Sequence, residues 1–235
     1  MRSRPPTIKD VAEQAGCGIA TVSRVLNGTG SASADTRRKV LSAAKALGFE
    51  FSALGRSLQS SSTKTLGCIV PSLANPVFAE VVQAAQQEAH REGYQLILAC
   101  SEYDEVLELQ AARTLIAKQV DGLVLTVNNA ADSEALELIR DRNLPCCLVY
   151  NRSSFGLPAW AVDNRAAARE VARAFHSQGH VQTGFLALRF HRSDRSRERY
   201  EGFAAACREF GMADPLLLEI EEQDGTLLEL LGTLL

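Results

Sequence analysis

Along the first fifty residues, apolar positions recur at helical spacing. In "TIKDVAEQAG", Ile8, Val11, Ala12 and Ala15 fall on one stripe. Thr7 is placed as an N-cap with Asp10 three residues on, a capping-box variant, and Gly16 as the C′ glycine that ends the helix. A second helical run, "IATVSRVLN", follows Cys17-Gly18 and stops at Gly28. After "TGSA", Ser33 caps a third, "ADTRRKVLSAAKALG", whose apolar face is Val40, Ala43, Ala44 and Leu47. The pattern predicts three short helices with a Gly-containing turn between the first two.

Residues 52–64, "SALGRSLQSSSTK", are polar and Ser-rich with one short helical pattern, and read as a linker. From Leu66 onward, buried-strand runs alternate with amphipathic helices. "TLGCIVP", "YQLILAC", "GLVLTV" and "PCCLVYN" are the strands, with helices between them, and this order implies a parallel sheet covered on both faces. A second unit is expected to open with "AWAVD". The helix "NRAAAREVARAFHSQG", the strand "GFLALR", the helix "SDRSRERYEGFAAACREFG", the strand "LLLEIE" and a last helical run, "GTLLELLGTLL", continue it.

Charge separates the two regions. Of the 235 residues, 1–64 hold ten Lys and Arg against four Asp and Glu, while the rest hold fifteen against twenty-four. A basic head on an acidic body is the electrostatic footprint of a nucleic-acid-binding module joined to something else. No apolar run approaches the ~20 residues of a membrane helix, and "MRSRPPTIKD" lacks the apolar core of a signal peptide. The six cysteines form no CxxC pair and read as reduced core residues of a cytosolic protein. GxGxxG after the first strand, GxxxxGK[ST], GxSxG and HExxH are all missing from the sequence, so no catalytic residue, cofactor or metal is expected. His176 and His180 share a helix-end face, but no third ligand lies near them in sequence.

The second helix carries the candidate chemistry. Val22, Val25 and Leu26 can pack against helices one and three, which leaves Ala20, Ser23, Arg24 and Asn27 on another face. Two short helices around a turn in a basic context fit a helix-turn-helix. In a major groove, Arg24 can bond guanine O6 and N7, Ala20 can touch a thymine methyl, and Ile19 could serve either face. Thr7, Ser33, Thr36 and the helix N-termini suit phosphate contacts.

"TIKDVAEQAGCGIATVSRVLNG", "SADTRRKVLSAAKALGF", "VDGLVL", "AVDNRAAARE" and "RSRERYEGFAAA" together resemble the lactose-repressor (LacI/GalR) family of bacterial transcription regulators over the whole chain. The resemblance implies an all-α helix-turn-helix domain at 1–51 and a hinge helix and linker at 52–64. It also implies a periplasmic-binding-protein-like effector domain of doubly wound parallel sheets at 65–235, with a first lobe over about 65–158 and a partial second lobe over about 159–235. Ile19 and Ala20 match base-reading positions and Arg24 a further base contact, while Thr21, Ser23, Asn27 and Ser33 match backbone anchors. Leu58, in "GRSL", matches the leucine that wedges into the minor groove and kinks the duplex. Leu73, Asn75 and Phe78 match positions lining an effector cleft, and Asp163 with Arg199 a polar clamp on its ligand.

The resemblance therefore implies a cytoplasmic repressor that binds a palindromic operator on double-stranded DNA as a homodimer, controlled by a small metabolite such as a sugar, with no membrane role. Departures qualify it. Gly18 stands where a serine is usual, "FEFS" (49–52) where Tyr-x-Pro-Asn is usual, and Val77 where an aromatic is common. Family members also run on beyond this point, so the second lobe is expected to hold about three strands and an incomplete sheet. The alternative is a truncated DNA-binding regulator that no longer senses a ligand.

Overall fold

The computed structural model describes residues 6–28, 30–49 and 62–220 together with Arg4, and the chain divides into two compact units, Met1–Thr63 and Lys64–Leu235. The hinge positions around Leu58 and the final run "GTLLELLGTLL" lie outside the described residues.

In the first unit, α1 (Ile8–Ala15), α2 (Ile19–Asn27) and α3 (Ala34–Leu47) each end on a glycine with φ between 62° and 68°, which closes the helix without a Cβ penalty. Thr7 caps α1 by donating both its backbone N–H (2.6 Å) and its hydroxyl (2.7 Å) to Asp10 Oδ2. These bonds hold the Asp10 carboxyl below the usual carboxylate range. Ser33 caps α3 by accepting from Thr36 N at 3.1 Å. The predicted stripes meet in one core of Val11, Ala12, Val22, Val25, Val40, Ala43 and Ala44, with Ile8, Leu26 and Leu47 packed against it.

The second unit opens with a five-stranded parallel sheet in the order β2-β1-β3-β4-β5. Its strands are β1 (Thr65–Val70), β2 (Gln95–Cys100), β3 (Gly122–Leu125), β4 (Cys146–Val149) and β5 (Ala159–Trp160). Helices α4 (Pro76–Arg91), α5 (Glu105–Ala117) and α6 (Glu134–Asp141) connect the first four strands. Ile69, Leu123, Leu125 and Leu148 of the sheet are buried with Leu115 of α5 and with Leu136 and Ile139 of α6. On the other side, Phe78 and Val82 of α4 pack on Cys68 and Val70. The reversal of strand order at β1 and β3 is a switch point, outside whose carboxyl ends a crevice forms.

One sequence expectation is corrected here. "AWAVD" does not open the second lobe: β5 pairs in parallel with β4, with Tyr150 N donating to Trp160 O at 2.7 Å. The second lobe is built on α7 (Asn164–Ser177), β6 (Gly184–Leu188), α8 (Asp194–Glu209) and β7 (Leu216–Ile220), so its parallel ladder has two strands among the described residues rather than three. Helices α7 and α8 approach closely because residue 202 is glycine. A Cβ there would lie 2.5 Å from Arg165 O and 2.6 Å from its Cα, both rigid backbone atoms. Ion pairs from Arg165 to Glu201 and from Arg169 to Glu209 flank this contact.

Candidate functional site

Two surfaces carry the chemistry, one on each unit. On the first, burial of Val22 and Val25 fixes which way α2 faces. Ile19 is left 45% exposed, so of the two faces it could serve it takes the solvent side, together with Ala20 and Arg24. Arg24 is exposed, and its Nε donates to Ala20 O at 3.2 Å, which folds the guanidinium back along the helix. Asn27 Nδ2 donates to Ser23 Oγ at 3.2 Å, and both residues, like Thr21, are half-buried. Ser33 and Thr36 share a 2.8 Å hydroxyl contact at the start of α3. The Thr7 hydroxyl is committed to Asp10 and would have to turn away to reach another acceptor. Gly18 begins α2 with no side-chain cap.

On the second unit, a cavity of about 570 Å³ lies between the lobes. The first lobe contributes Asn75, Val77 and Phe78 from the start of α4, Tyr103 from the loop after β2 and Tyr150 from the loop after β4. The second lobe contributes Asn164, Phe185, Arg189, Ser193, Arg195 and Arg199, with the backbone run Leu186–Leu188 of β6. Phe78 meets Tyr150 edge-on at 5.7 Å and Tyr103 at 6.4 Å, which forms an aromatic wall. Tyr150 and Tyr103 both have positive φ, 70° and 58°, and so leave their strands sharply where the crevice begins. The polar wall is ordered by Asn164, whose Nδ2 donates to Glu198 at 2.9 Å while its Oδ1 accepts from Arg199 at 3.0 Å.

Beneath this wall the lobes are joined by buried polar contacts. Asp194 Oδ2 accepts from Asn151 Nδ2 (2.9 Å) and Ala130 N (3.0 Å), and Arg195 Nη1 donates to Val127 O at 2.7 Å. Burial pulls the Arg195 guanidinium below its ordinary value, against the pull of Asp194. Burial lowers Arg199 in the same way, opposed by Glu198 and Asp194. Glu108 lies behind the loop, accepting from Ser133 Oγ (2.7 Å) and Asn128 N (2.8 Å). Burial nonetheless raises its carboxyl above the usual range.

Of the effector positions named from the sequence, Asn75, Phe78 and Arg199 meet in this cavity and two do not. Leu73 is exposed on the loop before α4 and is not in the lining. Asp163 is not opposed to Arg199: its carboxylate caps α7 through Ala166 N (3.1 Å) and pairs with Arg152 (3.0 Å), while the next residue, Asn164, holds the arginine. Those two bonds, the cap first, hold the Asp163 carboxyl below the usual range. The sequence reading missed Tyr103, Tyr150, Asn164, Arg189 and Arg195. Position at the carboxyl end of a parallel strand was a signal for the two tyrosines, and the i, i+4 spacing of Arg195 and Arg199 a signal for the second arginine. Among the described residues no helix is long and apolar enough to cross a membrane, and no group of three His, Cys, Asp or Glu could hold a metal ion.

Comparison with known proteins matches both units. Residues 7–51 match the model of bacterial regulatory proteins of the lacI family, and residues 63–235 that of periplasmic binding proteins and the sugar binding domain of the LacI family. The chain is 35% identical over 217 residues to the HTH-type transcriptional regulator RegA of Clostridium saccharobutylicum, covering 92% of this chain and 65% of that protein. It is 36% identical over 208 residues to the HTH-type transcriptional repressor PurR of Photobacterium profundum, covering 88% and 62%. A LacI family transcriptional regulator from Silicibacter pomeroyi superposes with a TM-score of 0.80 at 28% identity, over 92% of this chain and 65% of that one. The chain thus spans a little under two thirds of the length of these relatives.

Proposed function

This chain belongs to the lacI family of bacterial regulatory proteins, and from that premise we propose that it is a sequence-specific DNA-binding transcriptional regulator, a cytoplasmic repressor that grips a palindromic operator as a homodimer. The observation that carries the reading is the orientation of α2. Its apolar side is spent on the three-helix core, and Ile19, Ala20 and Arg24 are left together on the open side. On this reading those three read base edges in the major groove, with Arg24 the guanine contact. Thr21, Ser23, Asn27, Ser33 and Thr36 hold the backbone, Thr7 does so only by releasing Asp10, and Leu58 is the minor-groove wedge. The cavity on the second unit binds a small metabolite that tunes DNA affinity, its aromatic wall covering the apolar face of a sugar-like ring and its polar wall taking the hydroxyls. No catalytic step, metal or cofactor has a part in this reading.

A second reading, DNA binding without ligand sensing, draws on the second lobe. Among the described residues its ladder has two strands, and Leu186, Leu188 and Leu216 on them are exposed. Selection of random duplexes by the purified chain, with salt dependence recorded, tests the first claim. A selected palindrome supports a dimeric reader, whereas only weak, steeply salt-dependent binding without sequence preference overturns it. Calorimetric titration with small metabolites separates the two readings.

A further inference from the structure

The body of this chain is acidic, with fifteen Lys and Arg against twenty-four Asp and Glu beyond residue 64. Its cavity has the opposite character. Three arginines, Arg189, Arg195 and Arg199, line it, and among the described residues no carboxylate does.

The nearby acids are already engaged elsewhere. Asp194 is held by Arg195, Asn151 and the Ala130 N–H. Glu198 is held by Asn164 and by Arg152, 3.0 Å away. Arg199 is left with one neutral acceptor among the described residues, the amide oxygen of Asn164, although a guanidinium has five donors in a fixed fork. Arg195 and Arg199 stand four residues apart on the same face of α8 and repel each other; Asp194, 3.1 Å from Arg195, and Glu198 offset part of that charge.

The backbone adds to the same field. Three helices of fourteen residues or more start at the cavity. They are α4 behind Asn75, α7 beginning at Asn164 and α8 behind Ser193, and all three of these residues are in its lining. A helix start carries partial positive charge and undonated N–H groups. The Asp163 carboxylate already caps α7 and Asp194 lies in the first turn of α8, so the guanidinium forks and the start of α4, capped by the neutral Asn75, are what favour an anion over a hydroxyl.

Resting on the reading of this cavity as the effector site, we infer that its ligand is a small hydroxylated metabolite bearing an acid group, a phosphate ester or a carboxylate, held by Arg199 and Arg195 at the start of α8. The aromatic wall of Phe78, Tyr103 and Tyr150 covers the ring, and the cationic wall takes the acid. A neutral sugar would leave the guanidinium donors of Arg199 facing hydroxyls, a weaker partnership.

The test is calorimetric titration of the full chain with inorganic phosphate, glucose 6-phosphate and glucuronate, and with the neutral sugars glucose, galactose and ribose. The same titrations are run on Arg199→Gln and on Arg173→Gln. Arg173 pairs with Glu170 on α7, is absent from the cavity lining, and serves as the control for simple loss of charge. The expected result is binding of inorganic phosphate and of at least one of the two acids, at least tenfold tighter than any neutral sugar. Arg199→Gln should weaken it at least tenfold, and Arg173→Gln should leave it unchanged. Whether glucose 6-phosphate or glucuronate binds tighter distinguishes phosphate ester from carboxylate. Neutral sugars binding as tightly as the acids would overturn the anionic assignment and leave the effector reading standing. Phosphate binding that Arg199→Gln does not weaken would overturn the placement. No binding of any probe would remove both the assignment and the effector reading on which it rests.

Discussion

Asn151 Nδ2 donates to Asp194 Oδ2 at 2.9 Å, and that one bond ties the loop after β4 in the first lobe to the first turn of α8 in the second. The same carboxylate faces the Arg195 guanidinium at 3.1 Å, with side-chain exposures of 18% for Asp194 and 9% for Arg195. Asp194 is thus both the joint between lobes and the counter-charge of a buried cation. Asp194→Ala should destabilise the second unit by about 3–5 kcal/mol, because removing one partner of a buried pair leaves the other uncompensated. Asp194→Asn, which keeps the shape and one acceptor, should cost less. Urea unfolding of the chain and both variants checks this. A loss under ~1 kcal/mol for the alanine variant would mean that Arg195 does not depend on Asp194.

Glu108 gives a pH dependence of known sign. Burial raises its folded-state value above the ordinary carboxylate value it has in the unfolded chain, despite two hydrogen bonds to the charged form. Folding therefore favours the protonated acid. The stability this contributes is fully present below the unfolded value and is lost as pH rises through the raised one. Glu108→Gln removes that titration while keeping an acceptor for Asn128 N and a polar partner for Ser133. Relative to the wild-type chain, the variant should gain stability as pH is raised from about 4 to 7. Urea midpoints of both proteins across that range measure the difference, and a difference that does not change with pH would contradict the assignment.

Local signals made the helices and strands legible: stripes, caps and terminal glycines in the head, apolar runs bounded by polar turns in the body. What they could not convey was pairing at a distance. "AWAVD" reads as a fresh start because the connection from Tyr150 to Pro158 is too short for the usual crossover helix, yet it returns the chain to pair β5 beside β4. The site shows the same division. Asn75, Phe78 and Arg199 could be named from resemblance. Asp163 and Asn164 are adjacent in sequence, and which of them faces the arginine depends on Asp163 being the helix cap and Arg152 reaching it from another loop. Tyr103 and Tyr150 enter the cavity through left-handed backbone at strand ends, for which their residue type gives little warning.

Gly18 offers a gain of function. It caps α2 with φ −71° and ψ 152°, extended backbone that any residue adopts, and a Cβ there would meet nothing within 4 Å. Gly18→Ser should fit without strain and supply the missing side-chain acceptor at the start of α2. Capping by serine in place of glycine is worth a few tenths of a kcal/mol, and removing a glycine's freedom from the unfolded chain adds about 0.4–1 kcal/mol. The head should therefore gain about 1 kcal/mol in thermal unfolding. On the proposed function, the new hydroxyl at the groove-facing end of α2 also adds a phosphate contact and tightens DNA binding without changing the selected sequence. Unchanged stability would mean the hydroxyl does not cap, and a changed sequence preference would mean that Gly18 sets the register of the helix.

Arg24 is where specificity and mere attraction to DNA can be told apart. The residue is exposed and its Nε is spent on Ala20 O, so among the described residues the terminal nitrogens remain to form a two-pronged contact. Guanine presents two acceptors at matching spacing in the major groove, and a phosphate also accepts from arginine. The two contacts differ in what their loss does. Arg24→Ala should weaken binding to the selected operator by about 1–3 kcal/mol, relax preference at one base pair of each half-site, and leave the affinity for unrelated duplex nearly as it was. If the arginine instead held a phosphate, the variant would lose affinity equally on every sequence, and the salt dependence would flatten by about one counterion. Repeating the duplex selection with the variant, and measuring both affinities at two salt concentrations, decides between them.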